Sequence, residues 1–202
     1  MKSLAKNSIY NILYKCSNFI FPLIVSAYVS RILLAEGVGK VSSAQNIVTY
    51  FAILAALGLP TYGTKVIASC GDNRDKRNKA FSELFIINAI STIICSITYY
   101  IMVIQIPYFQ QRQSLFIVCG LSIIFNIINV DWFYQGCEEY GYIMIRNLLI
   151  KVISLVAIFI FVKSVDDYIK YAAVLTFSKV ANNIFNIVHL KKYISFTFQD
   201  LR

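Results

Sequence analysis

The chain has 202 residues, of which 58% are hydrophobic and 14% charged, and its mean hydropathy is +0.64. An ordinary soluble domain carries about 25% charged residues, so this composition leaves too little polar surface to cover a water-soluble core and points to an integral membrane protein with several spans. The net charge of +9 would suggest nucleic acid in a soluble protein, but no RNA- or DNA-binding motif is present and most basic residues sit in short connectors, so nucleic acid is set aside as a partner.

Six apolar segments follow one another, each near the roughly 20 residues that cross a bilayer as a helix. The alternation of a membrane β-strand is absent, so the expected fold is all-α: one bundle of six transmembrane helices over residues 1–202. The first segment, residues 8–34, carries Lys15, Pro22 and Arg31. At ~100° per residue, Asn7, Asn11, Lys15, Asn18, Pro22 and Ser26 fall within about one third of the helix circumference. Such a stripe suits a helix that lines a polar cavity. The alternative is a signal peptide or a simple anchor with Lys15 snorkelling to the surface; an apolar run longer than a leader's, and further spans behind it, weigh against it.

A connector at residues 35–40 with two glycines leads to the second segment, residues 41–59. The run G-L-P-T-Y-G-T-K at 58–65 breaks the helix. Residues 65–79 are amphipathic and basic, fit either for the inner membrane surface or for an ordinary helix end. The third segment is 81–104 and the fourth 114–133, where Ser122, Asn126 and Asn129 share a face. Asp131 opens D-W-F-Y-Q-G-C-E-E-Y; Trp132, Phe133 and Tyr134 read as an interfacial aromatic belt. Asp131 is placed to pair with Arg146 across the short connector, and it is the candidate for proton or sodium coupling. The fifth segment, 142–162, holds Lys151 and Ser154 one turn apart. In the sixth, 168–190, Lys179, Asn183 and Asn186 recur at i, i+4 and i+7, with Asn182 beside them.

Positive charge orients the bundle. With both termini in the cytoplasm, Lys2, Lys6, Lys15, Lys65, Arg74, Lys76, Arg77, Lys79, Arg146, Lys191, Lys192 and Arg202 fall inside, and Arg31, Lys40, Arg112, Lys163 and Lys170 outside. No hydrolase, metal or nucleotide signature occurs, and there is no phosphate-binding G-x-x-x-x-G-K-[ST], so neither an enzyme nor an ATP-driven pump is expected and no cofactor is implied. The lone His189 is expected to pack at the interface. The five cysteines are odd in number and irregularly spaced, as small buried hydrophobes are.

What remains for chemistry is polar groups inside spans. They serve either as hydrogen bonds between helices or as the lining of a cavity. The candidates for a cavity wall are Lys15, Asn18, Lys151, Lys179, Asn183 and Asn186. With Asp131 the one obvious acidic residue among them, surplus positive charge favours an anionic solute.

Several runs carry a resemblance. K-N-S-I-Y-N at 6–11, R-I-L-L-A-E-G-V-G at 31–39, G-L-P-T-Y-G-T-K at 58–65, N-K-A-F-S-E-L at 78–84 and the D-W-F-Y run at 131–140 resemble, in order, the N-terminal half of bacterial polysaccharide flippases. These are the O-antigen and capsule repeat-unit translocases of the multidrug/oligosaccharidyl-lipid/polysaccharide exporter superfamily. The resemblance implies movement of undecaprenyl-diphosphate-linked oligosaccharide across the bacterial inner membrane for surface polysaccharide synthesis. It also implies alternating access between two six-helix bundles. This chain matches one of them, as a truncated product, a fragment or a half-transporter. The implied partners are lipid-linked oligosaccharide, membrane lipids, a second six-helix bundle or a second copy, and polysaccharide polymerase machinery. A bundle from a drug/cation antiporter, which calls for buried carboxylates, and an inactive membrane remnant are the alternatives.

Overall fold

The computed structural model describes residues 4–190 and 193–194, with side chains from residue 8 onward; Lys2, Lys191, Lys192 and Arg202, and the side chains of Lys6 and Asn7, lie outside the described residues. Among the described residues there is no strand. The elements are α1 (Leu4–Ala56), α2 (Leu59–Ser69), α3 (Arg74–Gln105), the single turn α4 (Pro107–Gln110), α5 (Gln113–Ile124), a 3-10 turn (Phe125–Ile128), α6 (Asp131–Gly136), α7 (Tyr140–Phe161), a second 3-10 turn (Val165–Asp167) and α8 (Tyr168–Leu190).

α1 is broken at Leu34, whose φ of 57° and ψ of −179° are not helical. A side-chain-bearing residue held there costs of order 1–3 kcal/mol. The connector expected at 35–40 is therefore a single residue, and the helix resumes at once. The nearby Gly37 serves packing rather than the turn: a Cβ on it would stand 2.9 Å from Leu33 Cβ and 3.7 Å from the Val165 carbonyl oxygen. The two arms of α1 fold back on each other, because Tyr14 on the first and Ala52 and Ala56 on the second line one cavity. The first arm packs Val25, Val29 and Leu33 against Ile158 and Val162 of α7. The second packs Val41, Ala44 and Val48 with Tyr99 and Val103 of α3 and Leu115, Phe116 and Cys119 of α5.

Among the described residues three helical stretches are long and apolar enough to cross a membrane: Ser8–Ser69, which holds both arms of α1 and runs on through α2, Arg74–Gln105 and Tyr140–Phe161. α3 shows what its surroundings are. Ile86, Ile87, Ile90, Ile93, Ile94, Ile97, Ile101 and Ile104 are exposed, whereas Asn78, Ser82, Asn88, Thr92 and Ser96 are buried. Polar faces turned inward and isoleucine turned outward fit lipid as the solvent. This is an all-α, multi-pass membrane protein.

Two expectations are corrected. The fourth apolar segment is not one continuous α-helix: it stops at Ile124, tightens into the 3-10 turn, and restarts at Asp131. The aromatic run after it is not a membrane-facing belt. Trp132, Phe133 and Tyr134 are all buried, in a core with Leu59, Ile67, Phe81, Ile143 and Leu190. α2 is seated on α6 there by close approach: a Cβ on Gly63 would meet Trp132 Cε3 at 2.6 Å, and one on Gly136 would meet Ile67 Cβ at 2.7 Å. The helix break foreseen at 58–65 is confined to Leu57 and Gly58, both at positive φ; Pro60 then begins α2, where its missing N–H costs nothing.

Candidate functional site: a polar cavity inside the bundle

Inside the bundle lies a cavity of about 410 Å³. It is built where the α5 helix fails. Asn126, Asn129 and Asp131 come from the break, Ser122 from the end of α5, Arg146 and Asn147 from α7, and Lys179, Asn182 and Asn183 from one face of α8; Tyr14 and Thr49 close it from the two arms of α1. A second cavity of about 200 Å³ shares Ala56, Asn126, Asn129 and Asp131 with the first and reaches Asn88, Trp132 and Gln135.

The centre of the site is an ion pair. Arg146 Nη2 donates to Asp131 Oδ1 at 2.8 Å, with the arginine side chain 5% and the aspartate 29% exposed. Arg146 Nε donates to Asn182 Oδ1 at 3.0 Å, and Asn186 Nδ2 donates to the same Asp131 oxygen at 2.7 Å. Side chains of α7 and α8 thus converge on the carboxylate that begins α6. An intramembrane charge pair of this kind stands only where both partners are hydrogen-bonded. Lys179 lies on the cavity wall and donates to Gln45 Oε1 at 2.7 Å; among the described residues no carboxylate pairs with it. Two cations against one carboxylate leave the cavity net positive.

The sequence candidates separate into three groups. Lys179 and Asn183 line the cavity with Asp131, and Asn186 stands behind them, fully buried. Asn18 and Lys151 form a second cluster between the first arm of α1 and α7: Lys151 Nζ donates to Asn18 Oδ1 at 2.5 Å and to Ser17 Oγ at 3.4 Å. Asn147 Nδ2 also donates to Asn18 Oδ1, at 3.3 Å, and links this cluster to the cavity it lines. Lys15 is exposed on the first arm and is not among the lining residues, as are Pro22 and Ser26 further along the same stripe.

The Asp131–Arg146 pair expected from the short connector is formed; Asn88 was not among the sequence candidates. The signal for Asn88 was present: Asn88, Thr92 and Ser96 recur at i, i+4 and i+8 in an isoleucine-rich helix, which marks an inward face. His189 packs as expected, stacked on Tyr142 with ring centroids 4.1 Å apart. All five cysteines are free. Among the described residues no cluster of His, Cys, Asp and Glu could hold a metal ion.

The family described as polysaccharide biosynthesis protein matches residues 4–201, nearly the whole chain. The chain belongs to that family. Two of its relatives carry names that describe them as O-antigen transporters. The one from Escherichia coli (strain K12) is 24% identical over 82% of this chain and 40% of its own length. The one from Shigella dysenteriae is 25% identical over 81% of this chain and 41% of its own length. The chain spans about two fifths of the length of the curated relatives it matches. No solved structure matches it. Membership makes this a protein of the polysaccharide-biosynthesis membrane family, with relatives named as transporters rather than as enzymes.

Proposed function

We propose that this chain supplies one wall of a transporter that flips undecaprenyl-diphosphate-linked oligosaccharide repeat units from the cytoplasmic to the periplasmic leaflet of the bacterial inner membrane. The observation that carries the proposal is the net-positive cavity inside an apolar bundle, formed by Arg146 and Lys179 against Asp131. A cavity of that sign, walled by low-dielectric surroundings, attracts a diphosphate or an acidic sugar. Lys151, with Asn18, and Lys15 extend the positive charge along the first arm of α1. In this reading the six spans are the two arms of α1, α3, α5 with its 3-10 turn, α7 and α8. Both termini are cytoplasmic, and a second six-helix bundle, or a second copy, closes the cavity from the open side. Asp131, tied to Arg146, holds the guanidinium in place and is the group a coupling ion would compete for. A drug/cation antiporter would need free buried carboxylates, and the paired Asp131 favours the anion reading.

The test is export. Arg146→Ala or Lys179→Ala, in a transporter completed by its second bundle, removes a charged hydrogen bond worth about 1.5–3 kcal/mol. Surface polysaccharide falls roughly tenfold or more at unchanged membrane abundance. Normal export by both variants would overturn the proposal.

A further inference from the structure

Nothing in the sequence from Leu121 to Gln135, L-S-I-I-F-N-I-I-N-V-D-W-F-Y-Q, obliges a helix to stop, for it holds neither proline nor glycine. Continuous helix over residues 113–136 would run about 36 Å at 1.5 Å per residue, enough to cross the hydrocarbon core. The chain breaks instead, at a depth where every backbone carbonyl left without an N–H costs free energy that water cannot return.

Two side chains from other helices donate to the carbonyls at the break. In a continuous helix the carbonyls of residues 125, 126 and 127 would accept from the N–H groups of residues 129, 130 and 131. Here the Asn129 N–H turns to the Asn126 carbonyl at 3.0 Å, and the Asp131 N–H points to Asn129 Oδ1 at 3.5 Å. Asn183 Nδ2 of α8 donates to the Phe125 carbonyl at 3.0 Å. Asn88 Nδ2 of α3 donates to the carbonyls of both Asn126, at 3.1 Å, and Ile127, at 3.0 Å. Asn88 is only 4% exposed. Inside the break, Asn129 Nδ2 donates to Asn126 Oδ1 at 3.1 Å. The clamp thus holds from two sides, and the residue released just beyond it is Asp131, the carboxylate that meets Arg146 and Asn186.

We propose that Asn88 and Asn183 are positioning residues that hold this membrane-embedded helix break open and so keep Asp131 on Arg146 at the cavity wall. The inference rests on the cavity being the working site, but the clamp is measured without transport. Spin labels are placed at Gln113 and Gln135 of the purified full chain in lipid nanodiscs, in a background with the five native cysteines replaced. Asn88→Leu, Asn183→Leu and the double variant remove the donors while keeping apolar volume.

The expected result is a label distance that lengthens towards the roughly 33 Å of a continuous helix over 22 residues, in protein that remains monodisperse. Gly63→Ala is the control: it loosens the same end of the bundle at the α2–α6 contact and leaves the distance unchanged. If Asn88→Leu fails to fold, Asn183→Leu carries the test, since Asn183 is half-buried and gives up a single bond. A distance unmoved in the folded variants overturns the proposal, as does a distance that Gly63→Ala lengthens equally. A lengthened distance with normal polysaccharide export in the completed transporter sinks the cavity's role and leaves the clamp standing. An unmoved distance with export lost on Arg146→Ala does the reverse.

Discussion

Arg146 and Asp131 are directly hydrogen-bonded, with the arginine side chain 5% exposed, and the coupling sets what each substitution does. Asp131→Ala leaves a buried guanidinium without its carboxylate, a change that costs about 3–5 kcal/mol. The purified protein is therefore expected to lose several degrees of melting temperature in detergent. Asp131→Leu combined with Arg146→Met removes both charges at similar volume and recovers most of that loss, because an ion pair in apolar surroundings is close to neutral against a hydrophobic replacement. Export is not recovered by the double variant, since the anion-attracting group is gone. Leu34 gives a simpler residue-scale expectation. Its backbone is in a region glycine occupies without strain, so Leu34→Gly is tolerated or raises the melting temperature, whereas the β-branched Leu34→Val lowers it.

Among the elements, two joints are stiff for different reasons. α2 sits on α6 through Gly63 and Gly136, and the Trp132 ring that faces Gly63 is itself stacked on Phe81 with centroids 5.5 Å apart. The ring has little room to retreat, so Gly63→Ala costs about 1–3 kcal/mol of overpacking, read as a lower melting temperature. The joint between α7 and α8 is held by Asp167, which accepts from the backbone N–H of Lys163 at 2.9 Å and of Ser164 at 2.8 Å and pairs with Lys170 at 2.7 Å. The Lys170 ammonium first, and then the two backbone donors, hold its carboxyl below its ordinary value of 3.8. A carboxylate depressed in the fold stabilises fully above the unfolded value and loses that contribution as pH falls through the folded one. The melting-temperature gap between the wild type and Asp167→Asn is therefore full at neutral pH and shrinks below about pH 4.

At the scale of the molecule, solvent is decided by which side of each helix is polar. Isoleucines on the outside of α3 and asparagine, serine and threonine within it make the bundle a lipid-solvated object with a wet interior. The proposed orientation puts the basic connector between α2 and α3 on the cytoplasmic side. Single cysteines introduced at residues 72–79 are expected to react with a membrane-impermeant maleimide only in inside-out vesicles, and those at 105–113 only in intact spheroplasts; the opposite pattern would reverse the proposed topology.

The sequence by itself determined the solvent, the helical class, most of the apolar segments and the family, because these depend on composition, period and short local runs. It also put Lys179, Asn183 and Asn186 on one face of α8, since residues three and four apart on one helix share a face whatever surrounds them. Tertiary structure decided the rest. At the break at 125–130 local Asn126 and Asn129 side chains are joined by Asn88 and Asn183, from distant parts of the chain, which donate to its carbonyls. The same break sets Asp131 against Arg146, the partner expected from the short connector, and adds Asn182 and Asn186 to the pair. Lys15, one position from the inward Tyr14, went the other way: a rotation of ~100° is enough to move a charge from the cavity wall to the outer face, and packing alone fixes that rotation.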